Sequence, residues 1–375
     1  MIYLDNSATT KPCQEAVEAM TKALTENWGN PSALYDFGID TARLLRTARH
    51  QAAAAMGAEP DRVFFTSGGT EADNWAVFGS VKRMGKRGKH IITTCLEHSA
   101  ILNCMKVLED QGYEVTYLRP DETGTITLDA LKKELRKDTI LVSVMMVNNE
   151  VGSVQPIAQM AKYVHKVCPD CIFHTDAVQG FMKIPFSAKT LGADLISVSS
   201  HKIHGPKGCG ALYVSPKFKS FPPLLLGGGQ ESGFRSGTEG TPAIFGFAAA
   251  CEVGRLHLQE DIAKERQVLD HLIDGLSSLP GVVLNGAHAA PHILNIGIPG
   301  IPTQNSINIL QDAGICVSAG SACAKGHRSR VLTEMNIDPK VIDGSFRVSL
   351  CKDSTLEEAD LLIKTIKEEI LPRVR

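Results

Sequence analysis

Residues 63–70, VFFTSGGT, join a short apolar run to a glycine pair and a threonine. Four apolar or β-branched residues in a row predict a buried strand, and the polar turn after them predicts the start of a helix. The same alternation recurs through the first two-thirds of the chain, with further strands predicted at 91–94 and 195–198. Strands separated by helices in this way predict a largely parallel α/β sheet with helices on both faces.

The pattern changes after residue 254. A charged amphipathic helix is predicted from there to about residue 276, and shorter strands follow at 282–284, 293–296 and 346–349. We therefore expect two domains. The large α/β domain is predicted to span residues 14–256, and a smaller α+β domain is predicted to combine residues 1–13 with residues 257–375.

The composition excludes several classes of protein. The 375 residues include 39 Lys+Arg and 41 Asp+Glu, so the net charge of −2 gives no support to a nucleic-acid-binding protein. The sequence contains no apolar run of the ~18–20 residues that a membrane span requires. Its first residues lack the basic and then apolar pattern of a signal peptide. With ten cysteines in such a chain, we expect a cytoplasmic protein with reduced thiols.

Polar segments follow five of the predicted strands, at 67–71, 97–98, 148–150, 176–179 and 199–202. Because the carboxyl ends of parallel strands meet at one edge of a sheet, we expect these segments to converge on a ligand. The glycine turn at 67–70 precedes a predicted helix. Such a turn is typical of phosphate binding, because free N–H groups at a helix N-terminus attract anions.

Lys202 follows a predicted strand, 26 residues after Asp176. A desolvated lysine at the edge of a sheet can form a Schiff base, and an acidic residue on a neighbouring strand can pair with a pyridinium nitrogen. Together with a phosphate turn, these are the groups that a pyridoxal 5'-phosphate (PLP) enzyme requires. Spacing alone leaves other ligands open.

A second cluster, His165-x2-Cys168-x2-Cys171-x2-His174, has the spacing of zinc ligands. A single Cys-x2-Cys pair is common, and Pro169 is expected to break the helix between the two cysteines. Zinc binding therefore stays an alternative interpretation of this segment.

Taken together, the motifs resemble those of the cysteine desulfurases of the NifS and IscS type, within the class V aminotransferase group of fold-type I PLP enzymes. The similarity is collinear and extends over nearly the whole chain. The matching segments are 3–10 (YLDNSATT), 66–71 (TSGGTE), 97–98 (EH), 147–152 (VNNEVG), 174–179 (HTDAVQ), 200–208 (SHKIHGPKG), 227–231 (GGGQE), 235–238 (RSGT), 321–323 (SAC) and 346–349 (FRVS).

The resemblance implies a role for each matching residue. Lys202 would carry PLP and move protons at the substrate α-carbon, Asp176 would pair with the pyridinium nitrogen, and His98 would stack on the ring and act in acid–base chemistry. The remaining cofactor contacts would come from Gly69, Thr70, Asn149, Gln179, Ser199 and His201. Thr238 would reach the phosphate of a second subunit, which implies a homodimer. Asn30 and Arg347 would bind the substrate carboxylate.

Cys323 would be the catalytic thiol. The implied reaction removes sulfur from L-cysteine, releases L-alanine and leaves a persulfide on Cys323, which passes to an acceptor protein of iron–sulfur cluster assembly or of thiolation. The basic residues Lys325, His327, Arg328 and Arg330 would lower the pKa of this thiol and lie where an acceptor would dock.

Three other interpretations stay open at this point. The chain is also compatible with a selenocysteine or cystine lyase or another class V PLP enzyme, such as an aminotransferase. A non-catalytic scaffold with the same fold is a further alternative. An iron–sulfur contact at Cys323 is compatible with this type of loop, and no resident metal is expected.

Overall fold

The computed structural model describes residues 1–320 and 328–374. Within them the strands are β1 (Ile2–Tyr3), β2 (Val63–Thr66), β3 (His90–Thr94), β4 (Glu114–Leu118), β5 (Thr139–Ser143), β6 (Ile172–Asp176), β7 (Leu195–Ser199), β8 (Gly210–Val214), β9 (Val283–Asn285), β10 (Ile293–Gly297), β11 (Ile315–Cys316) and β12 (Ser345–Ser349).

The α-helices alternate with these strands along the first half of the chain. They are α1 (Gln14–Thr25), α2 (Asp36–Met56), α3 (Gly69–Met84), α4 (Ser99–Asp110), α5 (Leu128–Glu134), α6 (Ile157–Val167), α7 (Ala188–Leu191), α8 (Thr241–Ser277), α9 (Thr303–Asp312), α10 (Arg330–Glu334), α11 (Pro339–Asp343) and α12 (Leu356–Thr365).

The central sheet has the strand order β2-β8-β7-β6-β5-β3-β4. The strands are parallel except for β8, which is antiparallel to both of its neighbours. One apolar core packs α3 and α4 against one face of the sheet, and another packs α2, α6 and α8 against the other. The prediction of a mostly parallel α/β sheet with helices on both faces is confirmed.

A smaller antiparallel sheet has the order β12-β10-β9. It has its own apolar core, to which α12 and the second half of α8 contribute. The first residues of the chain lie against β12, because the Asn6 N–H and the Ser7 N–H both donate to Ser349. The N-terminal segment is therefore bound to the edge of this second sheet.

The predicted start of the long helix is wrong. Helix α8 begins at Thr241, with a proline in its first turn, and continues for 37 residues. Glycine weakens a helix, but Gly246 and Gly254 lie inside α8 and both are sites of close packing. A Cβ added to Gly246 would lie 2.7 Å from Met20 Cγ, and one added to Gly254 would lie 3.2 Å from Met182. The predicted domain boundary at 256/257 falls inside this helix and stays a prediction.

No helix in the described residues combines the length and the apolar composition needed to cross a membrane.

Candidate active site

A cavity of about 330 Å³ lies at the carboxyl edge of the central sheet. Ten of the residues predicted from sequence line it together, although they come from widely separated segments. These residues are Gly69, Thr70, His98, Asn149, Asp176, Gln179, Ser199, His201, Lys202 and Arg347. The volume lies at the lower end of the range found for small-molecule sites.

Lys202 lies in a short 3-10 turn directly after β7. Its ammonium donates hydrogen bonds to the backbone carbonyls of Ser7 and Ala8, with a distance of 2.8 Å to Ala8 O. Burial is the main cause that lowers the pKa of this lysine to about 8, and the positive charge of Arg347 adds to the effect. At neutral pH, the neutral amine form is therefore more populated at Lys202 than at an exposed lysine.

Asp176 ends β6 and faces the same cavity. Its Oδ1 accepts a hydrogen bond of 2.9 Å from the Val178 N–H. Burial raises the pKa of the Asp176 carboxyl, but His98, the Val178 N–H and Lys202 all oppose that rise because they favour the ionised form. The acid therefore has partners that support a negative charge at this point of the cavity.

Two more buried carboxyls lie close to Asp176, and sequence reasoning missed the one that lines the cavity. This is Asp73, whose pKa is raised well above the usual range by burial and then by the charge of Asp176. Glu97 accepts from the Met145 N–H and the Thr94 hydroxyl, and burial raises its pKa to about 8. Because like charges in one buried site oppose each other's ionisation, the neighbours of Asp176, which include His98 and Lys202, make it the carboxyl of this group whose ionised form is best supported.

The position of Asp73 could have been found from helix geometry. It follows Gly69 and Thr70 by four and three residues on α3, and residues at these spacings share one helix face.

His98 caps the N-terminus of α4, and its Nδ1 accepts a 3.1 Å hydrogen bond from the Ala100 N–H. This contact assigns the ring proton to Nε2 and fixes the ring at the wall of the cavity. His201 also lines the cavity, with Nδ1 3.2 Å from the Thr9 hydroxyl. Burial lowers the pKa of His201 to about 4, with added repulsion from Lys202, so this ring is a neutral hydrogen-bonding group near pH 7.

The glycine turn before α3 has the form expected of a phosphate site. Gly68 has a φ of 150°, and a Cβ added to Gly69 would come within 2.8 Å of Val178 Cγ2. Residue 69 therefore has no room for a side chain beside Val178, and its bare backbone lines the cavity. The 16-residue helix α3 begins here and presents its free N–H groups to the cavity.

Arg347 is almost fully buried, with 3% of its side chain exposed. Its Nη2 lies 2.6 Å from Asp5 Oδ1, and its Nη1 donates to the Asn149 carbonyl at 2.7 Å. Its Nε has no hydrogen-bond partner among the described residues. Asp5 was not predicted as a site residue, since nothing in the sequence pairs it with an arginine 342 residues away.

Three predicted site residues are not among those that line the cavity. Asn30 and Thr238 are exposed on the surface of the single chain, and Cys323 lies outside the described residues, as do Lys325 and His327. The two described members of the basic run are bound elsewhere. Arg328 pairs with Asp343 at 2.6 Å, and Arg330 donates to the Cys95 and Glu97 carbonyls.

The four residues that could have bound zinc each contact a different protein group. His165 Nε2 lies 2.9 Å from Asp194, and His174 is held between the Ser143 and Ser197 hydroxyls at 2.9 Å each. The thiols of Cys168 and Cys171 contact backbone carbonyls. In the described parts of the chain, no group of three or more candidate ligands has metal-binding geometry.

A family model described as aminotransferase class-V matches residues 2–362. The chain belongs to this family. A cysteine desulfurase of Trichormus azollae is 43% identical over 380 residues, covering 100% of this chain and 94% of the relative. A cysteine desulfurase IscS of Methanosarcina thermophila is 41% identical over 372 residues, covering 98% and 91%.

Solved structures agree with these relatives. A NifS-like protein superposes with a TM-score of 0.93 at 38% identity, covering 99% of each chain. A NifS-like protein from Rickettsia africae has a TM-score of 0.86 at 31% identity, covering 98% of this chain and 99% of its own. The predicted resemblance to the cysteine desulfurases and the predicted fold are therefore confirmed.

Proposed function

We propose that this chain is a PLP-dependent cysteine desulfurase that takes sulfur from L-cysteine and passes it to an acceptor. The observation that carries the proposal is the cavity in which Lys202, Asp176 and Arg347 meet, in a chain similar over its full length to proteins named cysteine desulfurase. These relatives do not favour the lyase alternative.

The residues present fit PLP. The turn at 67–70 and Thr70 would hold the phosphate, with Ser199 and His201 beside it. Asp176 would face the pyridine nitrogen, His98 would lie against the ring, and the Lys202 amine would bind the aldehyde carbon. Asn149 and Gln179 would orient the ring. When bound, PLP supplies an electron sink that stabilises negative charge at the substrate α-carbon.

The chain's own groups then have distinct tasks. Arg347 would bind the substrate carboxylate, as a guanidinium can do with two parallel hydrogen bonds, and Asn30 is proposed to assist it. Lys202, once free, would move a proton at the substrate α-carbon, because its lowered pKa suits it to both accept and donate near neutral pH.

The sulfur transfer is proposed to occur at Cys323. Its thiolate would attack the substrate sulfur, so that an S–S bond forms and the C–S bond breaks. The electron pair of the broken bond stays with the carbon fragment, which takes up a proton and leaves as alanine. The acceptor is proposed to be an iron–sulfur scaffold or a thiolation enzyme, and an iron contact at Cys323 and the cytoplasmic location stay predictions.

A homodimer is part of the proposal. Thr238 is exposed in the single chain and would complete the phosphate site of a second copy. Leu226, in the same surface segment, is 79% exposed. Leu224 and Leu225, which precede it, are 37% and 41% exposed, and a contiguous exposed apolar run of this kind is typical of a protein-contact surface.

The proposal is tested by adding L-cysteine to the purified holoenzyme and measuring alanine, sulfide and the mass of the peptide that contains Cys323. We expect stoichiometric alanine and one additional sulfur on Cys323 when no reductant is present. Cys323→Ala should keep the visible absorption of the Schiff base but lose alanine and sulfide release, whereas Lys202→Ala should lose both.

Cys13→Ala is the matched control, because this half-buried thiol lies outside the cavity, and it should keep full activity. Undiminished sulfide release by Cys323→Ala would refute the proposed role of that thiol. Release of selenide from selenocysteine without alanine from cysteine would favour the lyase alternative.

A further inference from the structure

Residues 224–238 form a surface segment, here called the arm, that is held at its base by two ion pairs. The first joins Glu231 to Arg49 with two hydrogen bonds of 2.6 Å. Glu231 Oε2 also accepts from the Phe65 N–H at 2.9 Å. Phe65 lies on β2, one of the two edge strands of the central sheet, so this carboxylate fixes the arm to the sheet.

The second pair joins Arg235 of the arm to Glu71 of α3. Arg235 Nε lies 2.8 Å from Glu71 Oε1, and Nη2 lies 3.1 Å from Oε2. Glu71 Oε2 also accepts from the Ser67 N–H at 2.9 Å. Burial opposes ionisation of Glu71, but the hydrogen bonds from Arg235 and Ser67 outweigh it and lower the pKa of this carboxyl.

Glu71 therefore contacts both the arm and the turn proposed to bind phosphate. It directly follows Thr70, and the turn residue Ser67 donates to the same carboxylate that binds Arg235. Any displacement of the guanidinium is thus transmitted to the turn, because the two share one carboxylate.

The arm backbone is conformationally strained where the buried Glu231 meets the exposed Ser232. Glu231 and Ser232 have φ values of 49° and 57°, which non-glycine residues rarely adopt. Such strain persists where surrounding contacts impose it. A Cβ added to Gly237 would lie 3.4 Å from Arg235 Nη1, so the guanidinium lies near the backbone immediately before the exposed Thr238, and the Gly237 N–H itself donates to Gln230 Oε1 at 2.9 Å.

We propose that Glu71 and Arg235 are positioning residues that tie the phosphate turn of one subunit to the arm that completes the cofactor site of a second copy. The inference rests on the proposed PLP site and homodimer. In each subunit the Glu71–Arg235 pair lies between the phosphate turn of that subunit and Thr238, which would contact the cofactor of the second subunit. Loss of the pair should therefore weaken PLP binding at both sites of the dimer.

Hybrid dimers test this directly, with one lysine-bearing site in each. In the first hybrid, a subunit carrying Arg235→Gln is combined with one carrying Lys202→Ala, so the altered arginine shares a chain with the remaining lysine. In the second, a Lys202→Ala, Arg235→Gln chain is combined with an unaltered chain, so the altered arm reaches that lysine only across the interface.

The readout is PLP affinity, measured as Schiff-base absorption of the one lysine-bearing site without added cysteine. Because one tenfold change in affinity corresponds to ~1.4 kcal/mol, and a charge-assisted hydrogen bond contributes at least this much, we expect about tenfold weaker binding in both hybrids. Arg235→Lys, which keeps the charge but loses the forked geometry, should show an intermediate loss.

Glu252→Gln is the matched control, because it breaks an exposed ion pair with Arg255 on α8 and should leave PLP affinity unchanged. Circular dichroism and sedimentation of each variant report folding and the dimer. Loss confined to the first hybrid, loss in neither, or a monomeric unaltered protein would each overturn the proposal. Failure of sulfur release would refute the proposed activity alone, since no step of this test uses cysteine.

Discussion

The reactivity of Lys202 can be predicted from its surroundings and then shifted in two directions. Its amine is half-buried, and burial and Arg347 lower its pKa from 10.5 to about 8, while Asp5 and Asp176 act in the opposite sense. Removing one charge of the Asp5–Arg347 pair at a time should therefore move this pKa in opposite directions. Asp5→Asn should lower it further, and Arg347→Gln should raise it.

The size of the effect follows from the two pKa values. Below pH 8, an amine with a pKa of about 8 is in its free form roughly 300-fold more often than one with a pKa of 10.5. At pH 7.5 the free fraction is about a quarter. Lys202 in the cofactor-free protein should thus react with a small acylating reagent at neutral pH far faster than an exposed lysine does.

The assay is competitive acylation of the cofactor-free protein between pH 6 and 11, with the modified lysines quantified by mass spectrometry. Lys22, exposed on α1, provides the internal reference for reagent reactivity. We expect an inflection near pH 8 for Lys202, at lower pH in Asp5→Asn and at higher pH in Arg347→Gln. An inflection near pH 10 in the unaltered protein, or shifts of the same sign in both variants, would refute the electrostatic reasoning.

Two further predictions concern stability and cofactor affinity. The Lys183–Glu265 pair is buried, with 9% and 1% of the side chains exposed. Lys183→Met should therefore lower the free energy of unfolding, measured by urea denaturation, by ~3–5 kcal/mol. Lys183→Met combined with Glu265→Leu should recover much of the loss. Asp176→Asn keeps an acceptor for the Val178 N–H and should fold normally. Its affinity for PLP in equilibrium dialysis should fall by about tenfold or more, because a charge-assisted hydrogen bond is lost. Unchanged affinity would exclude Asp176 as the partner of the pyridine nitrogen.

The sequence allowed much of the fold to be predicted because local signals and tertiary structure agree there. The run at 63–66 is a strand with the predicted limits, and the polar strand ends converge because parallel pairing leaves them no other arrangement. The predicted start of α8 near residue 254 differs from the observed start at Thr241. Glycine weakens an isolated helix, and the contacts of Gly246 with Met20 and of Gly254 with Met182 are tertiary contacts that no local pattern shows.

The charge pairs of the site could not be predicted from sequence. Glu71 and Arg235 are 164 residues apart, and Arg49 and Glu231 are 182 apart. No periodicity or spacing rule connects residues at such distances, because their contact depends on how the sheet and the arm pack. The family motifs contain Glu71, Glu231 and Arg235 but not Arg49, and only the structure showed which carboxylate each guanidinium binds.

The charged side chains of the cavity largely neutralise each other. Arg347 and Lys202 bring positive charge to it, and Asp5 and Asp176 bring negative charge. Burial raises the pKa of both Asp73 and Glu97 and so favours the neutral form of these two carboxyls. A substrate carboxylate must therefore compete with Asp5 for Arg347, whose Nε alone is without a partner among the described residues. Asp5 then limits the affinity of the site for any carboxylate. Asp5→Asn should therefore bind alanine more tightly, measured by the spectral change of the holoenzyme. Weaker binding would show that Asp5 orients Arg347 rather than competing with the substrate for it.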